Sequence, residues 1–444
     1  MEEISIKNRL ELMNVLPSEA CGEVFTRADV ANNVLKLLKA KPGVFSNPNY
    51  RFLDIYTKSG VFLLLIYSEL MQGLVEAIPD PEIRSQHILG KMIYGISPSV
   101  ETALISRKTL YGDWSIQGNI KVITGYKNDT GKRTFSNISK EFNGMKFDVV
   151  IGNPPYNRGM DIDFVNLGYE LSTKYCCMIT PAKWQTAEAD QKIASKMSYG
   201  EFRKKLVPHM SHVVFYPDCK DVFDIDQADG ITYFLMDKDQ HTKCEVYNKC
   251  KLFDGFNSKV ARNITDSTLI NIGNSIVDYL GDYDRFKFSK TGLNKRYRVC
   301  ANTQIVLGKT SRSLLFSNEN NALVIGILRL LDSDKSEQYE SSASQIIFAS
   351  DDIDVCKSFI SWLNCKFTKF FVLINISKMT GIMTDHCFRF VPAPTVLDAN
   401  GNRVPGKFDH IYTDEELYKT FNLPQEYIDV IESVIKERKQ TEDK

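Results

Sequence analysis

Between residues 51 and 181 the chain repeats one rhythm: a short, continuous apolar run, a break, then a stretch of helical pattern. "RFLDIY" gives way to the turn "TKSG" and to "VFLLLIYSELMQGL", which is apolar nearly all round and therefore predicts a buried helix. "KMIYGIS" is followed by "VETALISRKTLYG", then come "NIKVITG", "FDVVIG", the helical "FVNLGYELS" and "YCCMITP". Strands that are apolar on both faces and separated by helices predict a parallel sheet covered on both sides. In such sheets ligands gather outside the carboxyl ends of the strands, so "TKSG" and the residues after "FDVVIG" are expected on one rim.

Upstream, "TRADVANNVLKLLK" (26–39) predicts an amphipathic helix, with Thr26 and Asp29 spaced as a capping box and Val30, Val34, Leu37 and Leu38 on one stripe. Downstream, "HVVFYPDCKDVF" and "GITYFLMDK" read as an antiparallel hairpin closing the sheet edge. Near residue 255 the alternation fades and aromatic-rich segments such as "SFISWLNCKFTKFFVLINIS" take over. A chain of 444 residues exceeds what one core usually supports. Two domains are therefore expected, 1–255 and 256–444, the second of mixed α+β character and ending in a helix that opens at Pro424 and carries Ile428, Ile431, Val434 and Ile435 on one face.

With 43% apolar and 25% charged residues, the composition is that of an ordinary globular protein. The start "MEEISIKNRL" has no apolar signal region, and the longest fully apolar run, 61–67, is too short to span a bilayer, so a cytoplasmic protein without membrane contact is expected. Ten cysteines without a CxxC pair predict reduced, buried thiols. Cys244, Cys250 and His241 match no zinc spacing, and no metal is expected. Formal net charge is zero, which speaks against a surface coated in nucleic acid, but the distribution is uneven. From 285 to 318 stand Arg285, Lys287, Lys290, Lys295, Arg296, Arg298, Lys309 and Arg312 with no acid among them. The run suits either a solvated basic face or a phosphate-binding surface.

The chemistry concentrates in "FDVVIGNPPY" (147–156). Pro154 and Pro155 stiffen the turn and restrain the residues before them. They also donate nothing, leaving the Asn153 side-chain oxygen and the Pro154 carbonyl as acceptors for an NH2 group. The exocyclic nitrogen of adenine is a poor nucleophile because its lone pair is delocalised into the ring. Acceptors holding both of its protons would favour a tetrahedral nitrogen, and Tyr156 could stack on the base.

"FDVVIGNPPY" resembles the catalytic motif of the amino-group DNA methyltransferases, in particular the adenine-specific enzymes of restriction-modification systems in the gamma arrangement. "VFTRADVANNVLKLL" is similar to that family's cofactor-flanking helix, "FLDIYTKSGVFLL" to its cofactor loop, and "MTGIMTDHCFRFVPAP" to the late part of its recognition domain. The resemblance implies a Rossmann-like α/β sheet that binds S-adenosylmethionine, followed by a C-terminal domain that reads double-stranded DNA. It implies Asn153, Pro154, Pro155 and Tyr156 in catalysis, with Phe223 of "DVFDIDQADGITYFLM" on the other face of a flipped adenine. Thr26, Asp54, Ser59, Gly60 and Asn153 fall at the cofactor. Lys287, Lys290, Lys295, Arg296, Arg298, Lys309 and Arg312 are the residues expected on DNA phosphates.

Two departures stand out. The family's loop has glycines four and six residues after the Asp, whereas here Lys58 precedes Gly60, a variant of the loop. No acid ends the second strand to grip a ribose; Glu101 either takes that role from the first helical turn or is an ordinary surface residue. No nuclease motif is recognised, so any restriction endonuclease is expected on a separate chain. The same NH2 chemistry also fits a base in RNA or a protein glutamine, and Lys58 leaves room for a non-catalytic nucleic-acid-binding homologue.

Overall fold

The structure is a computed structural model describing residues 19–20, 23–123, 138, 141–156, 159–185, 197–216, 219–223, 225, 230–239, 243–248, 260–262, 275–287, 294–304, 324–335, 345–374 and 380–435. The chain separates into two compact units, Met1–Lys249 with Ser258–Ile270, and Cys250–Asn257 with Asn271–Lys444.

The first unit is built on a nine-stranded sheet. Its strands are β1 (Phe52–Asp54), β2 (Ile93–Ser97), β3 (Ile120–Val122), β4 (Phe147–Gly152), β5 (Ser172–Pro181), β6 (Met210–Tyr216), β7 (Ile231–Asp237), β8 (Cys244–Asn248) and β9 (Val260–Arg262). They lie in the order β9-β8-β6-β7-β5-β4-β1-β2-β3. The strands from β3 across to β5 are parallel, as continuous apolar runs demand, and β1, β2 and nearly all of β4 are buried. The antiparallel hairpin β6–β7 inserts β7 beside β5. The sheet does not stop there: β8 adds parallel to β6, and β9 antiparallel to β8. Nor does β6 run through to Phe223, because it ends at Tyr216 and a short 3-10 turn follows at Cys219–Asp221.

Three helices fix the rim: α1 (Ala28–Lys39), α2 (Val61–Gly73) and α3 (Val100–Tyr111). The stripe Val30, Val34, Leu37 and Leu38 of α1 is buried as its spacing requires, and α2 buries seven of its apolar and aromatic side chains. A fourth helix, α4 (Met160–Leu171), follows the catalytic-motif loop and packs on β4 and β5. Because α2 leads from β1 toward β2 while α4 leads from β4 toward β5, the crevice between the carboxyl ends of β1 and β4 is the switch point of the topology.

Among the described residues the second unit holds a four-stranded antiparallel sheet and five helices: Ser275–Leu280, Ile353–Asn364, Lys366–Leu373, Asp414–Thr420 and Gln425–Val434. Its core is aromatic, with Phe359, Trp362, Phe367, Phe370, Phe371 and Phe388 fully buried. Pro424 is the residue immediately ahead of the last helix, and Ile431 and Val434 face inward from it. Cys176, Cys177, Cys219, Cys244, Cys300, Cys356, Cys365 and Cys387 are buried free thiols. His241 and Cys250 lie outside the described residues. Among the described residues no helix is long and apolar enough to cross a membrane, and no group of side chains could hold a metal ion.

Candidate active site

The rim between β1 and β4 is drawn tight by backbone. Asp54 is paired with Ile151 in the parallel register, and Ile55 N–H donates to the Ile151 carbonyl at 2.9 Å. A Cβ on Gly152 would stand 2.9 Å from Ile55 Cγ2, so glycine lets the end of β1 lie this close to the loop that begins at Asn153.

Asn153 follows directly and is 3% exposed. Its Nδ2 donates to Thr26 Oγ1 at 3.0 Å, and its Oδ1 accepts the Tyr156 hydroxyl at 2.6 Å. Thr26 therefore does not cap α1: the cap position is Arg27, with no side-chain cap bond, and the Arg27 guanidinium holds Asp29 instead. The capping box expected from sequence gives way because Thr26 is engaged by a residue 127 positions away. Pro154 is buried, Pro155 and Tyr156 are half-buried, and burial, reinforced by the carboxyl of Asp161, lifts the Tyr156 phenol well above its usual range.

Asp54 is 2% exposed, and its Oδ1 accepts the Tyr56 N–H at 3.1 Å. Burial pushes its carboxyl up to about 7, against the opposing pull of the Tyr56 N–H, Thr57 and Lys58. The loop after it is held from behind by hydroxyls. Ser97 Oγ donates to the Thr57 carbonyl at 3.1 Å, Ser106 Oγ donates to the Lys58 carbonyl at 3.2 Å, and the Thr57 and Ser106 hydroxyls lie 3.2 Å apart. Gly60 has φ +77°, and a Cβ there would meet the Ser106 backbone at 3.0 Å. Ser59 is buried beside it. Ser97 and Ser106 carried no signal as loop supports in the sequence, because one does its work from the second strand and the other from α3.

The remaining expected residues are dispersed. Glu101 is exposed on the first turn of α3, where hydrogen bonds from its own backbone N–H and from Ser99 hold its carboxyl below the ordinary value. Phe223 is fully buried in the core cluster against which Tyr156 packs. A residue that sequence reasoning passed over is Asp161, in the first turn of α4, 5% exposed and pushed by burial to about 7. An acidic residue two positions into a helix is so common that only its burial marks it out.

The basic run of the second unit is less free than its sequence. Lys295 pairs with Asp351, and Arg296 reaches Asp332 at 3.3 Å and Asp334 at 3.2 Å. The run that contains no acid is thus partly neutralised by acids 36 to 56 positions later. Arg298 Nε donates to the Lys295 carbonyl at 3.2 Å, and Lys287 is exposed. Lys290, Lys309 and Arg312 lie outside the described residues.

Residues 91–223 match the family model of the Eco57I restriction-modification methylases, a span from the second strand through Asn153 to Phe223. An uncharacterized adenine-specific methylase of Mycoplasma pneumoniae is 26% identical over 344 residues, covering 60% of this chain and 78% of the relative. Among solved structures, the methyltransferase subunit of a type I restriction-modification system from Streptococcus thermophilus overlaps at a TM-score of 0.39 and 18% identity, over 62% of this chain and 57% of that one. A modification subunit of a putative type I restriction enzyme from Vibrio vulnificus overlaps at 0.36 and 13% identity, over 52% and 47%. The chain thus spans about half the length of these two solved structures. In sequence, then, the chain is similar over residues 91–223 to the Eco57I restriction-modification methylases and, over a longer span, to an adenine-specific methylase.

Proposed function

We propose that the chain is a site-specific DNA methyltransferase that moves a methyl group from S-adenosylmethionine to the exocyclic amino group of an adenine flipped out of double-stranded DNA. The observation that carries this reading is the junction of Asp54 and Asn153 on adjacent strand ends, with Thr26 joined to the same amide. A buried carboxyl, a buried ammonium at Lys58, the small Ser59 and Gly60, and the close approach permitted by Gly152 make a rim that fits a compact, charged cofactor. S-adenosylmethionine bound there supplies an electrophilic methyl on a sulfonium.

The residues of this chain position the acceptor. Thr26 fixes the Asn153 amide so that Oδ1 faces outward from Nδ2, and Oδ1, with two lone pairs, can accept an amino proton beside or in place of the Tyr156 hydroxyl. The Pro154 carbonyl accepts the second proton. With both protons held, the nitrogen lone pair turns from the ring toward the methyl. A sulfonium methyl presented there would pass to that nitrogen with loss of its S–C bond, and the surplus amine proton would go to water. Tyr156 supplies a face for the base, while Phe223 is fully buried in the core cluster against which Tyr156 packs and offers none in this structure. Extrusion costs a few kcal/mol, which contacts of the second unit with DNA must offset, Lys287 and Arg298 among them. A cognate restriction endonuclease, where one operates, would be a separate chain.

Expression in a methylation-deficient host, followed by modification-sensitive sequencing of its DNA, tests the reading. Methylated adenine recurring in one sequence context is expected, and lost with Asn153→Ala while cofactor and DNA still bind. Unmodified DNA alongside methylated RNA or protein would overturn the substrate.

A further inference from the structure

Helix α1 packs on β7, and beyond its flank the same face of the sheet continues over β6 and β8 as the floor of a cavity of about 740 Å³. Asn33, Lys36 and Leu37 of α1 form the wall, three and four residues apart and so on one side of the helix. The strand register orders the floor in rows. Val214 of β6 lies between Tyr233 of β7 and Tyr247 of β8, and His212 lies between Leu235 and Glu245. Lys243, just ahead of β8, and Lys41, joined at 2.8 Å to Asp237 at the end of β7, stand at one end of this groove.

Along this strand the residues lining the cavity are thus Lys243, Glu245 and Tyr247: an ammonium, a carboxylate and an aromatic ring, in that order. Same-face positions stand about 7 Å apart along a strand, a spacing that lets a sugar bridge a planar base and a phosphate. The carboxylate is fixed in place. Tyr247 donates its hydroxyl to Glu245 Oε2 at 2.8 Å, and His212 Nε2 lies 3.5 Å from the same oxygen. A carboxylate so held still has lone pairs enough to accept two neighbouring hydroxyls. Among the described residues of the lining, the ammonium groups of Lys36, Lys41 and Lys243 stand against this one carboxylate, and Lys36 and Lys243 are exposed. The groove therefore favours a ligand with a flat end and an anionic end.

We propose that this cavity is a separate binding site for a ribonucleoside 5′-phosphate, with the base on the Tyr247 ring, the ribose diol on Glu245 and the phosphate on Lys243 and its neighbouring ammonium groups. Strands β6, β7 and β5 separate β8 from β4, so the site is distinct from the β1–β4 rim and does not depend on what that rim binds. The same chemistry is carried by a free nucleotide and by the 5′ end of an RNA strand. Stacking on an aromatic ring tolerates any base, so the sugar and the phosphate supply the selectivity.

The test is calorimetric titration of the full chain with AMP, GMP, CMP and UMP, with the matching nucleosides and 2′-deoxynucleotides, and with a 5′-phosphorylated RNA oligonucleotide. Removing the phosphate or the 2′-hydroxyl should each weaken binding about tenfold, the scale of a hydrogen bond to a charged group. Lys243→Met should erase the preference for nucleotide over nucleoside, and Glu245→Gln the preference for ribose over deoxyribose. Tyr247→Leu should weaken every ligand about tenfold or more, whereas Tyr247→Phe keeps the stacking ring. Asn153→Ala should change nothing, because it lies on the other rim. Mononucleotides binding alone identify the free nucleotide as the ligand; tighter binding of the oligonucleotide, equally sensitive to Lys243→Met, identifies the strand end. The proposal is overturned if no ribonucleotide binds, if deoxynucleotides bind equally well, or if both preferences survive in the folded Lys243→Met and Glu245→Gln variants.

Discussion

The Tyr156 hydroxyl donates to Asn153 Oδ1 at 2.6 Å, which places the residue proposed to stack on the base on the very acceptor proposed for its amino group. The bond holds the amide ready and also competes for it. Tyr156→Phe keeps the ring and releases the acceptor, and its effect on kcat/KM should stay within about tenfold, the scale of one neutral hydrogen bond. Tyr156→Ala removes a stacking surface of about 1–3 kcal/mol per base and should cost more, up to about a hundredfold. Methyl transfer measured at saturating and limiting duplex separates the two; a larger loss in the Phe variant would contradict the stacking role.

Thr26→Val preserves shape and deletes the oxygen that accepts from Asn153 Nδ2. A buried donor left unmet costs about 1–3 kcal/mol, and the amide is then free to rotate. Turnover should fall about tenfold or more by that measure, while Thr26→Ser should recover most of it. Single-turnover rates would show the difference.

On the proposed role of Asp54 at the cofactor, that carboxyl would link cofactor binding to stability. Its carboxyl sits at about 7 in the fold against an ordinary 3.8, because burial disfavours the charged form. The folded state therefore holds more protons than the unfolded one between those values. The stability this group contributes is fully present below 3.8 and is lost as pH rises through about 7. Asp54→Asn should accordingly raise the melting temperature of the free protein near pH 8, by on the order of 1–3 kcal/mol of stability, and change it little near pH 4. The same substitution should abolish tight cofactor binding. Thermal unfolding at the two pH values decides the first point and calorimetry the second.

Gly60→Ala meets two obstacles, a left-handed backbone and the Ser106 backbone 3.0 Å from the new Cβ. Strain of this kind costs about 1–3 kcal/mol, so urea unfolding should show a lowered midpoint without a change of slope.

In the second unit, Arg296 is held by Asp332 and Asp334 while Lys287 is exposed. On the proposed role in phosphate binding, Lys287→Ala should reduce the slope of log affinity against log salt by about one, and Arg296→Ala by much less. Binding to a duplex across a salt series measures both.

The parallel half of the sheet was legible because β1, β2 and β4 are apolar on both faces, and such runs have few other places to go. Local pattern failed where a distant partner took over. Thr26 and Asp29 look like a capping box to any reading of ten residues, yet Asn153 claims the threonine. Likewise, the charge run from 285 to 318 contains no acid, and Asp332, Asp334 and Asp351 arrive from a strand end, the 3-10 turn after it and the bend ahead of a helix, which only the fold brings alongside. The sheet continues through β8 and β9 because their pairing is set by a neighbouring strand rather than by their own short sequences. Asp161 was invisible for a different reason: its residue type is ordinary for the position, and only the burial is not.

The Thr26–Asn153 bond also dates the assembly of the site. On a ribosome the threonine emerges long before its partner, and the strand that bears the asparagine must first find a place beside Phe52–Asp54. Contacts of such sequence separation pay their loop-closure entropy before they return anything. The apolar helix Val61–Gly73 can collapse on its neighbours early, while the reactive corner closes only after the middle of the unit has been synthesised. A nascent chain is thus compact before it is competent, and the Asn153 amide is held by Thr26 only once its strand has docked.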